Sequence, residues 1–595
     1  MQTLRSWILF ILCGSVFTLN ATQLHAQSFA KLSPFTDVLF KNEDRIVVEY
    51  QEKQYELVSI DDLTTKTILD SARKQFKTLW RKRFAEDLVE VMEGAGKPSG
   101  KTVKLVLRNL KSGKTSTIFK APMTYKNRVA VYRAVNARAG KVLRSERTAA
   151  RQLTRKNMPE VLNAFEKTLK ERWSYAEAGK TDITSAIRSI RGKIEKGTSP
   201  SEFVIDLQKV IGMGIDGHAG VSRVRLPSSG YIPFLVETSG KRYVAFRPDR
   251  SALLDPKHPF ISKIDNHQID WWIKAVSVLI PDGSPQYVRR HALRQLRALS
   301  YWRGEFDIKP SRTVVVELVS RDGSSRKTVN LPTAARLPTY GIWPQSSSQL
   351  LEGNVGYLRI RSMNRTALQD IATWMPKFRG TKGLIVDVRD NGGGSREALR
   401  HLFSYLFKPG DSPRVVNCAV YRLHRENKPN HLAVRFMAQA DSKDWSKTER
   451  TTINEFRKTF RPQWQLPKEK FSDWHFMELN RLDLPDVYYY SKPVVVLMNE
   501  KCFSATDIFL AGLKGWHNVT LVGTSSGGGS SRSQSFQLAG TRISVRIGSM
   551  VSYQASGRLF DGNGVHPDIR VDPIPEYFIG GDDSAIHKAL QWINR

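Results

Sequence analysis

The chain has 595 residues, enough for several hydrophobic cores and about three to five domains, and its 92 Lys and Arg against 57 Asp and Glu give a formal net charge of +35. The basic excess is spread along the chain without a dense Lys/Arg tract, so the expected partners are an anionic envelope polymer, a membrane surface or acidic substrates, and not nucleic acid. The cysteines that follow residue 26, Cys418 and Cys502, are too few for a disulfide scaffold or a structural zinc site.

Residues 1–26 read as a secretory signal peptide: Arg5, an apolar stretch, then Leu24-His25-Ala26 as the cleavage site. The expected destination is periplasmic or extracellular, with an uncleaved N-terminal anchor as the alternative. Cys13 follows Phe10-Ile11-Leu12, where a lipoprotein signal carries a small residue, so lipidation is not expected. Residues 27–135 read as a small α/β unit. Two strand-like runs in "DRIVVEYQEKQYELVSI" precede helical spacing over 68–92 and a hairpin turning at Ser112-Gly113. Residues 145–229 turn helical. In the last helix Ser199 or Ser201 is the cap, Phe203, Leu207 and Val210 share a face, and Gly212, Gly214 and Gly217 punctuate the end. Residues 230–340 return to strands around the helical "SPQYVRRHALRQLRAL". From 346 to 595, apolar strands such as "GLIVDVR", "PVVVLMN" and "VTLVG" alternate with helices, the pattern of a mainly parallel sheet covered on both faces. The polar stretch 425–485 interrupts that alternation and reads as an insertion.

Two places in this last region carry chemistry. In "NEKCFSATDIF", residues 499–509, Ser504 stands where an apolar strand stops and a helix starts. Serine is a good helix cap, and the same position suits a nucleophile, because free N–H groups and the positive helix end face negative charge forming beside it. The second place is "DNGGGS", where Gly392, Gly393 and Gly394 occupy a strand-to-helix turn. Glycines there let the backbone approach a ligand and turn its N–H groups toward an oxyanion. No Gly-Lys-Ser/Thr follows, so a phosphate loop is disfavoured. Cys502 reads as a packed strand-end thiol.

"DVRDNGGGS" and "NEKCFSATDIFLAGLK", followed by "VGTSSGGGSS" and "GRLFDGNGVHPDIRVDP", resemble in order four motifs of the C-terminal processing peptidases, or tail-specific proteases. The likeness covers about 350–575 well and 145–335 more loosely. It implies an α/β multi-domain protein. The core would be a crotonase/Clp-protease-like spiral of mainly parallel strands and helices, joined by a helical subdomain and a PDZ-like domain over 230–340. The bacterial enzymes of this family pair Ser with a Lys in the Gly-rich segment, but here Gly527, Gly528 and Gly529 stand in its place and only Lys588 follows Lys514. The tricorn-like branch uses His and an acid instead. Its His motif resembles "DGHAGV", which gives His218 as base. The acid falls on Asp561, with Asp568 read as a structural turn residue.

The resemblance therefore implies a Ser504/His218/Asp561 hydrolase of polypeptides with no cofactor and no metal. Its oxyanion hole would be Gly393 and Ala505, and Gly392, Gly527 and Gly528 would contact substrate. Gly230-Tyr231-Ile232-Pro233-Phe234 would be the carboxylate loop of the PDZ-like domain, although Pro233 removes a donor. The N-terminal unit has similar content and reads as a second such module. The chemistry fits these residue types. A serine hydroxyl needs a neighbouring base, histidine titrates near neutrality and can return the proton, and a buried carboxylate stabilises the imidazolium. The alternatives are a non-catalytic peptide- or hydrophobic-ligand-binding protein on the same fold and, less in keeping with export and a Ser nucleophile, acyl-CoA chemistry on the crotonase fold.

Overall fold

The computed structural model describes residues 32–595 except 77–79, 136–150, 177–181, 426, 428–429 and 485, so the expected signal segment lies outside the described residues. The chain divides into two compact units, Met1–Ala139 and Gly140–Arg595. Among the described residues no helix is long and apolar enough to cross a membrane.

The first unit is an antiparallel sheet. Asp37–Phe40, Ile46–Tyr50, Lys53–Ile60, Thr102–Asn109 and Thr115–Pro122 lie side by side in that order. The helical spacing over 68–92 does not give one helix. Thr65–Phe76 and Trp80–Glu86 are helical on either side of the undescribed 77–79, and the helix Leu88–Gly94 begins after a break at Asp87. Asp87, at this break, is buried and paired with Arg83 at 3.0 Å, so the chain turns there to keep a carboxylate inside next to its cation. Ile68, Leu69 and Val91 close over Val48, Leu57 and Leu105.

The second unit holds three layers that matter for the site. Its centre is a sheet in which Val355–Arg359, Gly383–Asp387, Val494–Met498, Val519–Gly523 and Ile569–Arg570 run parallel, with Gln349–Leu351 antiparallel at the edge. Both faces are covered, which is why these strands are unbroken apolar runs. Val494, Val496 and Met498 point into a core with Leu399, Ile508 and Leu510. Val495 and Leu497 point the other way, against Ala585, Ala589 and Ile593 of the last helix.

A helical layer precedes it: Met158–Arg172, Ile183–Glu195 and Pro200–Gly212. Ser199 is the cap of the last of these, closing a capping box with Glu202. Phe203, Leu207 and Val210 are all buried, in one core with Val545 and Tyr553. Residues 235–332 form an antiparallel sheet covered by the helices Ile269–Val276, Pro285–Leu296 and Leu299–Glu305. In its first loop the amides of Tyr231 and Ile232 already donate to Ala334 and Arg297 carbonyls. With Pro233 lacking an amide, as the sequence already indicated, the loop has few donors left for a terminal carboxylate.

The stretch 425–485, expected as an insertion, carries its own packed structure. Its strand His475–Leu479 is buried throughout and pairs with Arg414–Tyr421, which in turn pairs with Met550–Gln554. The polar character of the stretch comes from the helix Lys447–Thr459, which buries only Ile453.

Candidate active site

The strand Val494–Met498 ends in the turn Asn499–Phe503, and the helix Ala505–Leu513 starts at once. Ser504 joins them with φ +62° and ψ −120°, and its side chain makes no capping hydrogen bond. Its Oγ lies 3.0 Å from His218 Nε2 instead. The cap reading of Ser504 therefore fails on geometry: the helix start holds the hydroxyl out toward an imidazole from 286 positions earlier.

A non-glycine residue in that backbone region is strained by about 1 to 3 kcal/mol, and such strain is found where an element forces a side chain into a cleft. Ser504→Gly is therefore expected to unfold at higher denaturant than Ser504→Ala, by about 1 kcal/mol or more. Urea titration of the two variants, both lacking the hydroxyl, measures the difference.

The imidazole is set by a tight turn after the helix Pro200–Gly212. The Ala219 amide donates to the Asp216 carbonyl at 2.9 Å, closing Asp216-Gly217-His218 into one turn. The His218 ring packs on Phe503, centroids 4.7 Å apart, and Phe503 stacks in turn on Tyr287, whose hydroxyl donates to the Gly217 carbonyl at 3.0 Å. The residue before the nucleophile thus wedges the base in place.

Two acids lie beneath this turn, Asp216 and Asp561, 0% and 1% exposed. One ring nitrogen of His218 and one oxygen of each acid fall within 4.8 Å of one another. Asp561 is brought to the site, but not to the ring. Its Oδ1 accepts from the Gly217 amide (3.2 Å), and its Oδ2 accepts from the Tyr175 hydroxyl (2.8 Å) and the Ser530 amide (3.1 Å). Asp216 Oδ1 accepts from the His218 amide (3.0 Å), and its Oδ2 from Trp173 Nε1 (2.9 Å) and the Gly548 amide (2.6 Å). His218 Nδ1 has no direct partner among the described residues. Asp561 therefore does not hydrogen-bond the ring: both acids hold the backbone of the His turn, at Gly217 and His218, and lie close beneath the imidazole.

Burial and the proximity of Asp216 push the Asp561 carboxyl up, and burial does the same to Asp216. Burial, with the positive charges of Arg546 and Arg435, pushes the imidazole down to about 3, so His218 is neutral and proton-accepting across the physiological range. These three residues are also the grouping that could offer a cation ligands. Their four carboxylate oxygens already accept six N–H or O–H donors, which makes them a poor cage for one.

The glycines divide in an unexpected way. Gly393 packs so close to the nucleophile that a Cβ there would lie 2.7 Å from the Phe503 carbonyl oxygen and from Ser504 Cβ, and it takes φ +101°. Its amide, however, donates to Asn391 Oδ1 at 2.9 Å, because the Asn side chain folds back across the turn. Asn391 Oδ1 also takes the Thr506 hydroxyl, which ties this turn to the nucleophile helix. Ala505 is the first residue of its helix, with no acceptor for its amide among the described residues. Of the two expected oxyanion donors, then, Ala505 is available and Gly393 is engaged.

Gly392 lines the open cleft with Ser504 and His218. Gly527 and Gly528 do not. Both are buried behind the nucleophile, with the Gly527 amide on the Cys502 carbonyl and the Gly528 amide on Asp507 Oδ1, so their expected substrate contact is corrected to a structural one. Asp507, missed by the sequence reading, also accepts from Ser526 and Gly529, and burial pushes its carboxyl up to about 8.

Two other groups near the hydroxyl are not bases. Lys501 is buried between Glu237 (2.7 Å) and Asp390 (3.1 Å). Cys502 is buried, its thiol pushed up by burial and donating to the Val388 carbonyl. Asp568 accepts from the Leu521 amide and Lys514, a turn-holding role.

The family model described as Peptidase family S41 matches residues 354–571. A carboxy-terminal-processing protease of Bartonella bacilliformis is 35% identical over 240 residues, 39% of this chain and 42% of that protein. The chain thus spans less than half the length of this curated relative. Among solved structures, mature CPAF superposes with a TM-score of 0.51 at 18% identity, over 73% of this chain and 98% of that one. Mature CPAF complexed with lactacystin gives 0.50 at 17%, over 73% and 99%.

Proposed function

We propose that the chain, whose residues 354–571 match the family model described as Peptidase family S41, is an exported serine endopeptidase acting on polypeptides. The observation that carries this is the 3.0 Å approach of His218 Nε2 to Ser504 Oγ at a strained strand-to-helix turn in an open cleft.

Ser504 Oγ attacks the scissile carbonyl carbon while its proton passes to His218 Nε2, which is neutral and ready to receive it. The oxyanion forms beside the Ala505 amide, at the positive end of the helix; one such donor is worth about 3 kcal/mol in other hydrolases. The imidazolium is stabilised by the negative field of Asp216 and Asp561 and then gives its proton to the leaving amine, which departs and leaves an acyl ester on Ser504. Water, deprotonated by the same imidazole, releases the acid product. No lysine takes part, since Lys501 is committed to Glu237 and Asp390.

Incubation with a peptide library and mass spectrometry of the products tests the reading. Fragments that disappear after pretreatment with a fluorophosphonate support it. Peptides bound by the folded protein but left intact would favour the non-catalytic binder, which has no chemical need for a neutral imidazole on a serine.

A further inference from the structure

The cleft that opens onto Ser504 has a volume of about 1240 Å³, and its lining includes five arginines, Arg225, Arg294, Arg297, Arg435 and Arg546, without one aspartate or glutamate. None of the five is in an ion pair with a carboxylate among the described residues. Arg546 Nε donates to the Ser533 hydroxyl (2.9 Å) and Arg435 to the Ser531 carbonyl (3.1 Å). Arg294 and Arg297 lie over the Tyr340 ring. Each keeps guanidinium donors to spare.

Two of them sit at the chemistry. Arg546 faces Gly220 across a strand pair, two residues after His218, and the charges of both Arg546 and Arg435 are felt at the His218 ring. Behind Arg435 is Arg396, 3% exposed, which donates to the Arg435 carbonyl and has no acidic partner among the described residues. Basic side chains gathered in a concave, partly desolvated wall without counter-charge repel one another, and that cost is relieved only when an anion enters. Guanidinium groups match the two oxygens of a carboxylate.

We propose that this cleft selects polypeptide segments rich in carboxylates, the arginines pairing with Asp or Glu side chains on either side of the cleaved bond. The proposal rests on the peptidase reading and names its substrate class. It also gives the basic excess of the chain a local use. The same chemistry is presented by a free C-terminal carboxylate, and the test separates the two sources.

Cleavage is compared for one peptide with Glu near the scissile bond, its Gln twin, and the Glu peptide amidated at its C-terminus. The expected result is a kcat/KM at least about tenfold higher for Glu than for Gln, shrinking with added salt and falling severalfold in Arg546→Gln, whose side chain is exposed and outside any core. A loss on the Gln change assigns the carboxylate to side chains and supports the proposal; a loss only on amidation assigns it to the chain terminus and overturns the pairing with Asp or Glu side chains. Equal or better cleavage of both the Gln and the amidated peptide overturns it, as does an unchanged Glu/Gln ratio in both Arg546→Gln and Arg435→Gln. If no peptide of any charge is cut, it is the peptidase reading that fails, and not the charge preference alone.

Discussion

His218→Ala and Ser504→Ala are each expected to lower kcat on a good peptide by about 10⁴ to 10⁶, and the double variant to be no slower than either. In the proposed mechanism the two groups act as a unit. Without the imidazole the hydroxyl keeps its proton, because among the described residues no other base is near: Lys501 is held between two acids, and the Cys502 thiol is buried and protonated. Without the hydroxyl the imidazole has only water to activate. Folding should survive both changes, since neither side chain is fully buried. Losses that multiply in the double variant would mean that the two residues work independently, and the 3.0 Å contact would then carry no chemistry.

Asp561→Asn is expected to cost about 10- to 100-fold, less than loss of the base. Asp561 does not hydrogen-bond the ring. It holds the Gly217 amide, and through it the turn that presents His218, and lies close enough to the ring that its charge is expected to stabilise the imidazolium. Because burial and Asp216 push its carboxyl upward, it carries a proton at acidic pH and loses it as the solution approaches neutrality. In the wild type the rate should therefore rise with pH through that range, as the negative charge beneath the imidazolium appears. In Asp561→Asn this rise should shrink, leaving whatever Asp216 contributes. A pH–rate profile of kcat/KM for the two proteins measures it. Superimposable profiles, differing only in height, would reduce Asp561 to a structural peg.

Much of this site was legible in the residues. Ser504 after "VVVLMN" is a local pattern with a physical purpose, His218 came from the resemblance of "DGHAGV" to the tricorn-like motif, and the lack of any lysine between Lys514 and Lys588 removed the dyad from consideration. What the pattern did not contain was direction. "TSSGGGSS" supplies three glycines, but only the fold shows that Gly527 and Gly528 turn inward onto Cys502 and Asp507, away from the cleft. The amide of Gly393 looked free because nothing in a sequence tells that Asn391 will bend back to claim it. Asp216 passed as part of a motif, since its value comes from Trp173 and Gly548, which lie 43 and 332 positions away. The strand His475–Leu479 was hidden by the polar helix that precedes it. Close in the same way is the arginine wall: its members come from four separate segments, and only a shared cavity makes them one surface.

The central claim is that a hydroxyl at the strained turn is activated by an imidazole from the helical layer. The most direct measurement is reaction of the folded protein with a fluorophosphonate, followed by peptide mapping of the adduct and of its rate in His218→Ala. The expected result is one adduct, on Ser504, forming slower by several orders of magnitude when His218 is gone. An adduct on another residue, or an undiminished rate without the imidazole, would contradict it.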